Sequence, residues 1–173
     1  METITRNATE KYLKSILEIY NDAIAKTSDV ADYKPHTMEM RKKRFSEKIQ
    51  NDITVLVAEI NNQVVGFTSY GTFRAWAAYK YSFEHSVYVP PNFRQQGIVK
   101  KLLSALIEIV KQENIHTVIA VIDANTEVSI HLYKQFGFIV SGNFKQVGYK
   151  FGKWFDLKFM QLILENNLQP REQ

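Results

Sequence analysis

The chain has 173 residues, a formal net charge of +4 and an isoelectric point near 9.1, with 45% hydrophobic and 23% charged residues and no cysteine. This composition is typical of a globular protein, and no apolar run approaches the roughly 20 residues that a membrane-spanning helix needs. The lack of cysteine excludes disulfides and thiolate metal sites.

The length predicts a single domain, which we place at residues 1–165, followed by a polar tail at residues 166–173. The first residues lack the basic and then apolar pattern of a secretion signal, so we expect a cytoplasmic protein with no membrane partner.

The first half of the chain predicts a short strand at residues 3–5 and a helix that Asn7 or Thr9 caps and that continues to about residue 24. A second, more polar helix is predicted from Thr37 to about Gln50. The β-rich runs 53–60 and 63–70 flank Asn61-Asn62, a dipeptide that favours a tight turn, so they predict an antiparallel hairpin.

The second predicted helix contains the densest basic run of the chain, Arg41-Lys42-Lys43-Arg44. Glu39 and Glu47 lie nearby in the sequence. We interpret the run as a solvated helix face rather than a nucleic-acid patch, and we expect no nucleic-acid partner.

The second half begins with an aromatic loop at residues 71–81, which contains Arg74 and Lys80, and continues into a strand that Pro90-Pro91 ends. Apolar spacing predicts a helix with its apolar stripe at residues 99–110 and a buried strand at 117–122. A further helix is predicted to be capped by Asn125 and ended by Gly137, and it is followed by strands at 138–141 and 154–164. The order β-α-α-β-β-β-α-β-α-β-β predicts a mixed α/β sheet with helices on both faces.

The junction Arg94-Gln95-Gln96-Gly97-Ile98-Val99-Lys100 connects the central strand to a helix. The unpaired N–H groups and the positive dipole end of a helix start attract anions, and Gly97 permits close backbone approach. The junction therefore suits a phosphate, although an ordinary structural turn fits the spacing equally well. It matches neither Gly-Lys-Ser/Thr nor G-x-G-x-x-G.

Glutamate and histidine are the other residue types that could take part in catalysis or bind a metal. Glu84 begins the central strand, where partial burial would raise its pKa towards that of a useful base, and a surface glutamate is the alternative. The histidines show no metal-ligand spacing, so we predict no metal site, and we interpret His85 as structural because it points to the opposite sheet face from Glu84. The histidines are His36, His85, His116 and His131.

Four blocks of the sequence resemble the GNAT superfamily of N-acetyltransferases, and in particular its phosphinothricin N-acetyltransferase-like branch. They are Glu84-His-Ser-Val-Tyr-Val89, residues 94–103 with the pattern Arg-x-x-Gly-x-Val at their start, the pattern Asn-x-x-x-Ser-x-x-Leu-Tyr-x-x-x-Gly-Phe at 125–138, and residues 147–161. Val99 stands where the superfamily usually has Gly or Ala. Its branched side chain is expected to hold helix and strand slightly further apart, which affects cofactor affinity rather than cofactor identity.

The resemblance implies an acyl-CoA N-acyltransferase fold with a mixed, mostly antiparallel sheet, acetyl-CoA as co-substrate, and a homodimer. It implies acetyl transfer to the α-amino group of a small amino-acid-like substrate of the phosphinothricin or methionine sulfoximine type. The cofactor-binding residues that it implies are Val87, Tyr88, Val89, Gln95, Gln96, Gly97, Ile98, Val99, Lys100, Asn125 and Ser129.

By the same resemblance, Glu84 is the general base, and Tyr133 is placed to protonate the departing thiolate, with a core tyrosine as the alternative. Arg74, Tyr79 and Lys80 become candidates for holding acceptor anions. Two other functions remain open: acetylation of a protein or peptide N-terminus, and a coenzyme A-binding regulator without turnover.

Overall fold

The computed structural model describes residues 2–165 and 168–172. These residues form seven strands and four α-helices in the order predicted from the sequence. The strands are β1 (Ile4–Asn7), β2 (Val55–Ile60), β3 (Gln63–Thr72), β4 (Ser82–Tyr88), β5 (Thr117–Asp123), β6 (Ile139–Lys150) and β7 (Lys153–Ile163). The helices are α1 (Leu13–Lys26), α2 (Met38–Gln50), α3 (Ile98–Gln112) and α4 (Glu127–Gln135).

The strands form one sheet in the order β1-β2-β3-β4-β5-β7-β6. Strand β4 pairs with β5 in parallel, with Ser82 opposite Thr117 and His85 opposite Ala120. The pairs β1–β2, β2–β3, β5–β7 and β6–β7 are antiparallel. The predicted fold class, a mixed and mostly antiparallel sheet combined with helices, is therefore confirmed.

The chain divides into two compact units. The first unit comprises Met1–Tyr70 and Val87–Leu106, and the second comprises Gly71–Ser86 and Ile107–Gln173.

The core of the first unit packs one face of α1 against β2 and β3. The sequence predicted that one face of α1 is apolar, and four of its five predicted residues are buried: Leu13, Ile16, Tyr20 and Ile24. The fifth, Leu17, is half-buried, and Ile19 is buried instead. Helix α1 begins at Leu13 after a short 3₁₀ turn at Glu10–Tyr12, and Thr9 makes no side-chain capping bond, so the capping prediction for this helix was wrong.

A turn and a helix cap in the first unit agree with their sequence predictions. Asn61 and Asn62 both adopt positive φ, of 50° and 63°, as a two-residue hairpin turn between antiparallel strands requires. Thr37 caps α2, because its side-chain oxygen accepts a hydrogen bond from the Met40 amide at 3.2 Å.

Helix α2 departs from its prediction at one residue. Lys42, Lys43 and Arg44 are exposed, as expected of a solvated face, but Arg41 is only 8% exposed. Arg41 lies three residues after Met38 and four before Phe45, and both of these apolar side chains pack against the core of the first unit. The helical repeat therefore turns one member of the basic run inward.

In the second unit, β6 and β7 form a long hairpin. Strand β6 continues to Lys150, whereas the sequence suggested a connecting loop from residue 147. The turn is the dipeptide Phe151-Gly152, with φ values of 52° and 75°. A Cβ on Gly148 would lie 2.1 Å from the Phe155 ring, so the aromatic ring occupies the space that any side chain at this position would need.

No helix among the described residues is long and apolar enough to cross a membrane. Of the predicted polar tail, residues 166, 167 and 173 lie outside the described residues. The Tyr81 hydroxyl donates a 2.6 Å hydrogen bond to the Arg171 carbonyl oxygen, so this part of the tail contacts the end of the aromatic loop.

Candidate active site

The junction before α3 has the geometry that the sequence predicted. Helix α3 begins at Ile98, immediately after Gly97, which adopts a φ of +75°. Gln95 also has positive φ, 62°, so the chain reverses sharply before the helix. A Cβ placed on Gly97 would meet no protein atom within 4 Å, which leaves open space beside the first amides of α3. These amides have no acceptor within their own helix.

The side chains around this junction divide into buried and exposed ones. Ile98 is 1% exposed and fixes the helix start in the core, and Val99 is half-buried. Gln95, Gln96 and Lys100 are exposed. The junction therefore presents its backbone and its polar side chains to solvent while one isoleucine holds it in place.

Two cations close to the junction contact protein groups. Arg94 donates to the Val89 carbonyl at 3.3 Å and lies 3.5 Å from the Asp29 carboxylate. Lys101 donates to the Thr3 carbonyl at 3.0 Å. Arg94 therefore ties the junction to the end of β4.

The segment Val87–Val89 closes β4 and belongs to the first unit. Val89 is buried, and the half-buried Tyr88 ring packs on Phe67 and Tyr20 at centroid distances of 5.0 and 5.4 Å. A Cβ on Gly66 of β3 would lie 2.9 Å from a Val89 methyl and 3.0 Å from the Tyr88 carbonyl oxygen. This glycine permits the close approach that sets the position of the segment.

Glu84 lies on β4 in the second unit and is exposed, but its carboxylate is partly desolvated, as the predicted partial burial required. The protein on the other sides of the carboxylate still displaces water, and this desolvation raises the pKa of Glu84. The positive charge of Arg74 opposes that rise. The pKa direction is the one expected for a base, and Arg74 is a nearby charge that the sequence did not assign to it.

The aromatic loop contains a short 3₁₀ turn, Ala77–Tyr79, which includes Tyr79; of the other predicted acceptor-binding residues, Arg74 precedes this turn and Lys80 follows it directly. The Arg74 guanidinium lies 4.8 Å from the centre of the Phe73 ring, and the Tyr79 ring meets the same ring edge-on at 6.2 Å. The Lys80 ammonium lies 5.0 Å over the Tyr81 ring. Arg74 and Tyr79 therefore share one aromatic support.

The Asn125–Tyr133 segment spans the start of α4. The sequence predicted that Asn125 caps this helix. This prediction was wrong, because the cap position is Thr126. The Asn125 amide and side chain instead both donate to the Asp123 carboxylate, at 2.9 and 3.1 Å. Ser129 is half-buried in the first turns of α4, and Tyr133 is 5% exposed on its inner face.

His85 contacts Tyr133, a neighbour that sequence reasoning missed. Its ring lies 5.3 Å from the Tyr133 ring and 6.1 Å from the Phe138 ring, and it is 5% exposed. Neither ring nitrogen has a hydrogen-bond partner among the described residues. Burial lowers the pKa of His85 to about 4, so the imidazole is neutral at physiological pH. The burial of His85 agrees with the strand alternation that separated it from Glu84, but no local signal pointed to Tyr133.

The predicted site residues thus form two groups. The first unit holds Val87, Tyr88, Val89 and Gln95 to Lys100. The second unit holds Arg74, Tyr79, Lys80, Glu84, Asn125, Ser129 and Tyr133.

Residues 5–159 match the family model described as an acetyltransferase (GNAT) domain, which covers most of the chain. The chain belongs to the GNAT acetyltransferase family. This family assignment confirms the resemblance found in the sequence blocks around Glu84, Gly97 and Tyr133.

Three similar proteins illustrate the range of this GNAT family. The L-methionine sulfoximine/L-methionine sulfone acetyltransferase of Pseudomonas paraeruginosa is 37% identical over 95% of this chain and 96% of its own. The solved ribosomal-protein-alanine N-acetyltransferase of Brucella melitensis is 43% identical, with a TM-score of 0.91 over 93% of this chain and 99% of its own. The phosphinothricin acetyltransferase of Sinorhizobium meliloti, solved in complex with acetyl-CoA, is 33% identical, with a TM-score of 0.91 over 95% of this chain and 89% of its own.

Proposed function

We propose that this GNAT protein transfers an acetyl group from acetyl-CoA to the α-amino group of a small amino-acid-like acceptor of the methionine sulfoximine, methionine sulfone or phosphinothricin type. The observation that carries the proposal is the 37% identity, over 95% of the chain, to an enzyme named for the first two of these compounds. The likeness to a phosphinothricin acetyltransferase supports the same acceptor class.

The junction before α3 fits the diphosphate of acetyl-CoA. Its positive φ at Gly97, the open space where a Cβ would lie, and the unpaired amides at the start of α3 are the features that an anionic group needs. In the proposed assignment, residues 95–100 bind the diphosphate, the backbone of Val87–Val89 binds the pantetheine arm as an added strand would, and Asn125 and Ser129 contact the same arm.

The bound acetyl-CoA supplies an acetyl group activated as a thioester. Of the chain's own groups, an N–H from Val87–Val89 stabilises the charge that develops on the acetyl oxygen. Glu84 accepts the proton of the acceptor amine, directly or through a water, and its raised pKa favours this role. The Tyr133 hydroxyl is the proposed proton donor to the leaving sulfur. The acceptor nitrogen attacks directly, without an acyl-enzyme.

Arg74, Tyr79 and Lys80 are proposed to bind the acceptor. The aromatic support under Arg74 and Tyr79 restricts their side chains, which lowers the entropy lost when a ligand is bound. A guanidinium fork suits the oxygens of a phosphinate or carboxylate.

We propose a single catalytic domain at residues 1–165 that acts in the cytoplasm as a homodimer, without nucleic acid. Large apolar side chains of the β6–β7 hairpin are 47% to 59% exposed and would be covered by a second copy. They are Phe144, Val147, Tyr149, Phe151 and Trp154.

Isothermal titration with acetyl-CoA, followed by a thiol-release assay over a panel of amines, tests the function. We expect binding of acetyl-CoA and thiol release with methionine sulfone, methionine sulfoximine or phosphinothricin. Binding without thiol release for any amine would instead indicate a coenzyme A-binding regulator, and absence of binding would overturn the proposal altogether.

A second candidate function is acetylation of a protein N-terminus, which the name of the 43% identical Brucella melitensis neighbour favours. The same panel separates the two functions when it includes a short peptide with an N-terminal alanine. Release with the peptide and not with methionine sulfone would favour this second candidate.

A further inference from the structure

Tyr81 is the last residue of the aromatic loop, and both its backbone and its side chain are held by other parts of the second unit. Its carbonyl oxygen accepts hydrogen bonds from the His116 and Thr117 amides at the start of β5, at 2.9 and 3.2 Å. Its hydroxyl donates a 2.6 Å hydrogen bond to the Arg171 carbonyl oxygen. The Tyr81 side chain is therefore fixed at both ends.

The chain returns to Tyr81 after β7. The Leu164 amide donates to the His116 carbonyl at 2.8 Å, so the chain that follows β7 begins beside the residue that binds the Tyr81 backbone. We call residues 168–172 the tail segment. All of its residues are exposed, and the group that it offers to Tyr81 is a backbone carbonyl. The contact therefore does not depend on which side chain stands at position 171.

The Lys80 ammonium lies over the ring of Tyr81. It is 5.0 Å from the centre of that ring, within the roughly 6 Å over which an aromatic face attracts a cation. The backbone of Lys80 is also held, because its amide donates to the Ala77 carbonyl at 3.1 Å. A rotation of the Tyr81 ring would therefore move the support under the ammonium while leaving the 3₁₀ turn intact.

The two other proposed acceptor-binding residues have a separate support. Arg74 and Tyr79 both contact the Phe73 ring, at 4.8 and 6.2 Å. The Phe73 amide donates to the Ser82 carbonyl at 3.0 Å, so this support is fixed by a backbone bond to β4 and not by the tail segment. A contact made by the tail segment should therefore affect Lys80 and leave Arg74 in place.

We propose that the tail segment and Tyr81 position Lys80 for an anionic group of the acceptor. The Arg171 carbonyl holds the Tyr81 hydroxyl, and the Tyr81 ring holds the Lys80 ammonium. Tyr81 is thus a positioning residue that does not itself contact the acceptor. A cation that is already held in place loses less conformational entropy when it binds an anion, so the tail segment increases acceptor affinity. The inference rests on the proposed function and deepens it, because it assigns the support of one proposed acceptor-binding side chain.

The test measures kcat and KM for methionine sulfone and for phosphinothricin. Tyr81→Phe removes the hydroxyl and keeps the ring, and we expect it to raise the acceptor KM about 2- to 10-fold, the effect of one lost hydrogen bond. Removal of residues 166–173 should raise the acceptor KM by a similar factor. Both kcat and the KM for acetyl-CoA should stay close to their wild-type values. Arg171→Ala is the matched control, because it keeps the backbone carbonyl, and it should behave as the wild type.

Double-mutant cycles show whether the effect passes through Lys80. In a Lys80→Gln background, Tyr81→Phe should raise the acceptor KM no further, because the ammonium that the ring positions is gone. In an Arg74→Gln background, Tyr81→Phe should raise the acceptor KM by the same factor as in the wild type, because Arg74 has its own support on Phe73. A general loosening of the loop would instead give the same increase in both backgrounds.

Amide hydrogen exchange gives a result that is independent of turnover. Peptides covering residues 76–81 should exchange faster in Tyr81→Phe, and in the protein without residues 166–173, than in the wild type. The same peptides should exchange at the wild-type rate in Arg171→Ala. Equal exchange in all of these proteins would show that the tail segment does not hold the loop and would overturn the inference.

Three kinetic outcomes would also overturn the inference, and each would leave the proposed function intact. They are an unchanged acceptor KM in Tyr81→Phe, an increase of the same size in the Lys80→Gln background, and an increase in Arg171→Ala equal to that in Tyr81→Phe. Absence of thiol release by wild-type protein with every amine would overturn the proposed function. The exchange rates would then decide alone whether the tail segment holds the loop.

Discussion

At the scale of single residues, Glu84 is the proposed general base. Its side chain is exposed, desolvation raises its pKa, and Arg74 opposes that rise. We expect Glu84→Gln to lower kcat by about 10²- to 10⁴-fold at neutral pH, the usual contribution of a general base. The KM for acetyl-CoA should change little, because the proposed diphosphate contacts lie elsewhere.

The pH profile of kcat provides the second measurement for Glu84. The carboxylate must be ionised to accept a proton, so kcat of the wild type should fall as the pH is lowered through its raised pKa. Glu108→Gln, which removes an exposed carboxylate paired with Lys111 on α3, should retain wild-type kcat. Full turnover by Glu84→Gln at saturating substrate would remove Glu84 from the mechanism.

His85 gives a prediction about stability. Its pKa is about 4 in the folded protein and about 6.5 in the unfolded chain, so the unfolded chain binds the extra proton first as the pH falls. Its contribution to stability is therefore complete above pH 6.5 and is lost progressively towards pH 4, by an amount on the order of 3 kcal/mol.

Denaturant unfolding at several pH values measures this effect. His85→Leu should show a flatter decline in the free energy of unfolding between pH 6.5 and 4 than the wild type. His131→Gln, at an exposed position of α4, is the control and should follow the wild type. A His85→Leu profile parallel to that of the wild type would mean that other groups cause the acid sensitivity.

At the scale of secondary-structure elements, the most accurate sequence predictions were those of features that depend only on neighbouring residues. The Asn61-Asn62 turn, the Thr37 cap and the start of α3 after Gly97 all depend on a few neighbouring residues, and all three were confirmed. The order of the elements was confirmed for the same reason. The extent of β6 was underestimated, because a strand that continues past Gly148 depends on the Phe155 ring filling the space beside that glycine.

Helix α2 shows where sequence reasoning fails. Its basic run was predicted to face solvent, because consecutive cations usually do. The orientation of the helix is instead set by Met38 and Phe45, whose packing turns Arg41 inward. The burial of Arg41 could not be predicted because Tyr20, the residue it packs against, is distant in the sequence.

Gly66 in β3 offers a test of how closely strands approach in the first unit. Its Cβ would lie 2.9 Å from Val89 and 3.0 Å from the Tyr88 carbonyl, and backbone cannot move aside as the end of a side chain can. We expect Gly66→Ala to lower the free energy of unfolding by about 1–3 kcal/mol, the usual cost of overpacking.

Gly142→Ala in β6 is the matched control for Gly66. A Cβ at Gly142 would have ordinary contacts, at 3.6 and 3.9 Å, with Phe144 and Phe159. Denaturant unfolding of both variants gives the comparison. Similar stabilities for the two variants would show that β3 can move away from Val89 without cost.

At the scale of the whole molecule, the exposed aromatic residues of the β6–β7 hairpin predict self-association. We expect light scattering after size exclusion to give twice the chain mass of 20.1 kDa for the wild type. Trp154→Glu places a charge on the proposed interface and should shift the protein to the monomer, because an unpaired charge is costly to bury.

Leu168→Glu is the control for the dimer prediction. Leu168 is 71% exposed and lies outside the hairpin, so the same change there should leave the mass unchanged. A wild-type protein with the mass of one chain, or a Trp154→Glu variant that stays dimeric, would show that the hairpin is not the interface.

The aromatic loop has a spectroscopic consequence. The chain contains two tryptophans, Trp76 in this loop and Trp154 in the hairpin, and they are 76% and 59% exposed. A Trp154→Phe protein would therefore emit from the indole at position 76 alone. If the acceptor binds at Arg74, Tyr79 and Lys80 of the same loop, as proposed, and displaces water from the Trp76 ring, the emission maximum would move to shorter wavelength. Intrinsic fluorescence would then follow acceptor binding in real time without a label.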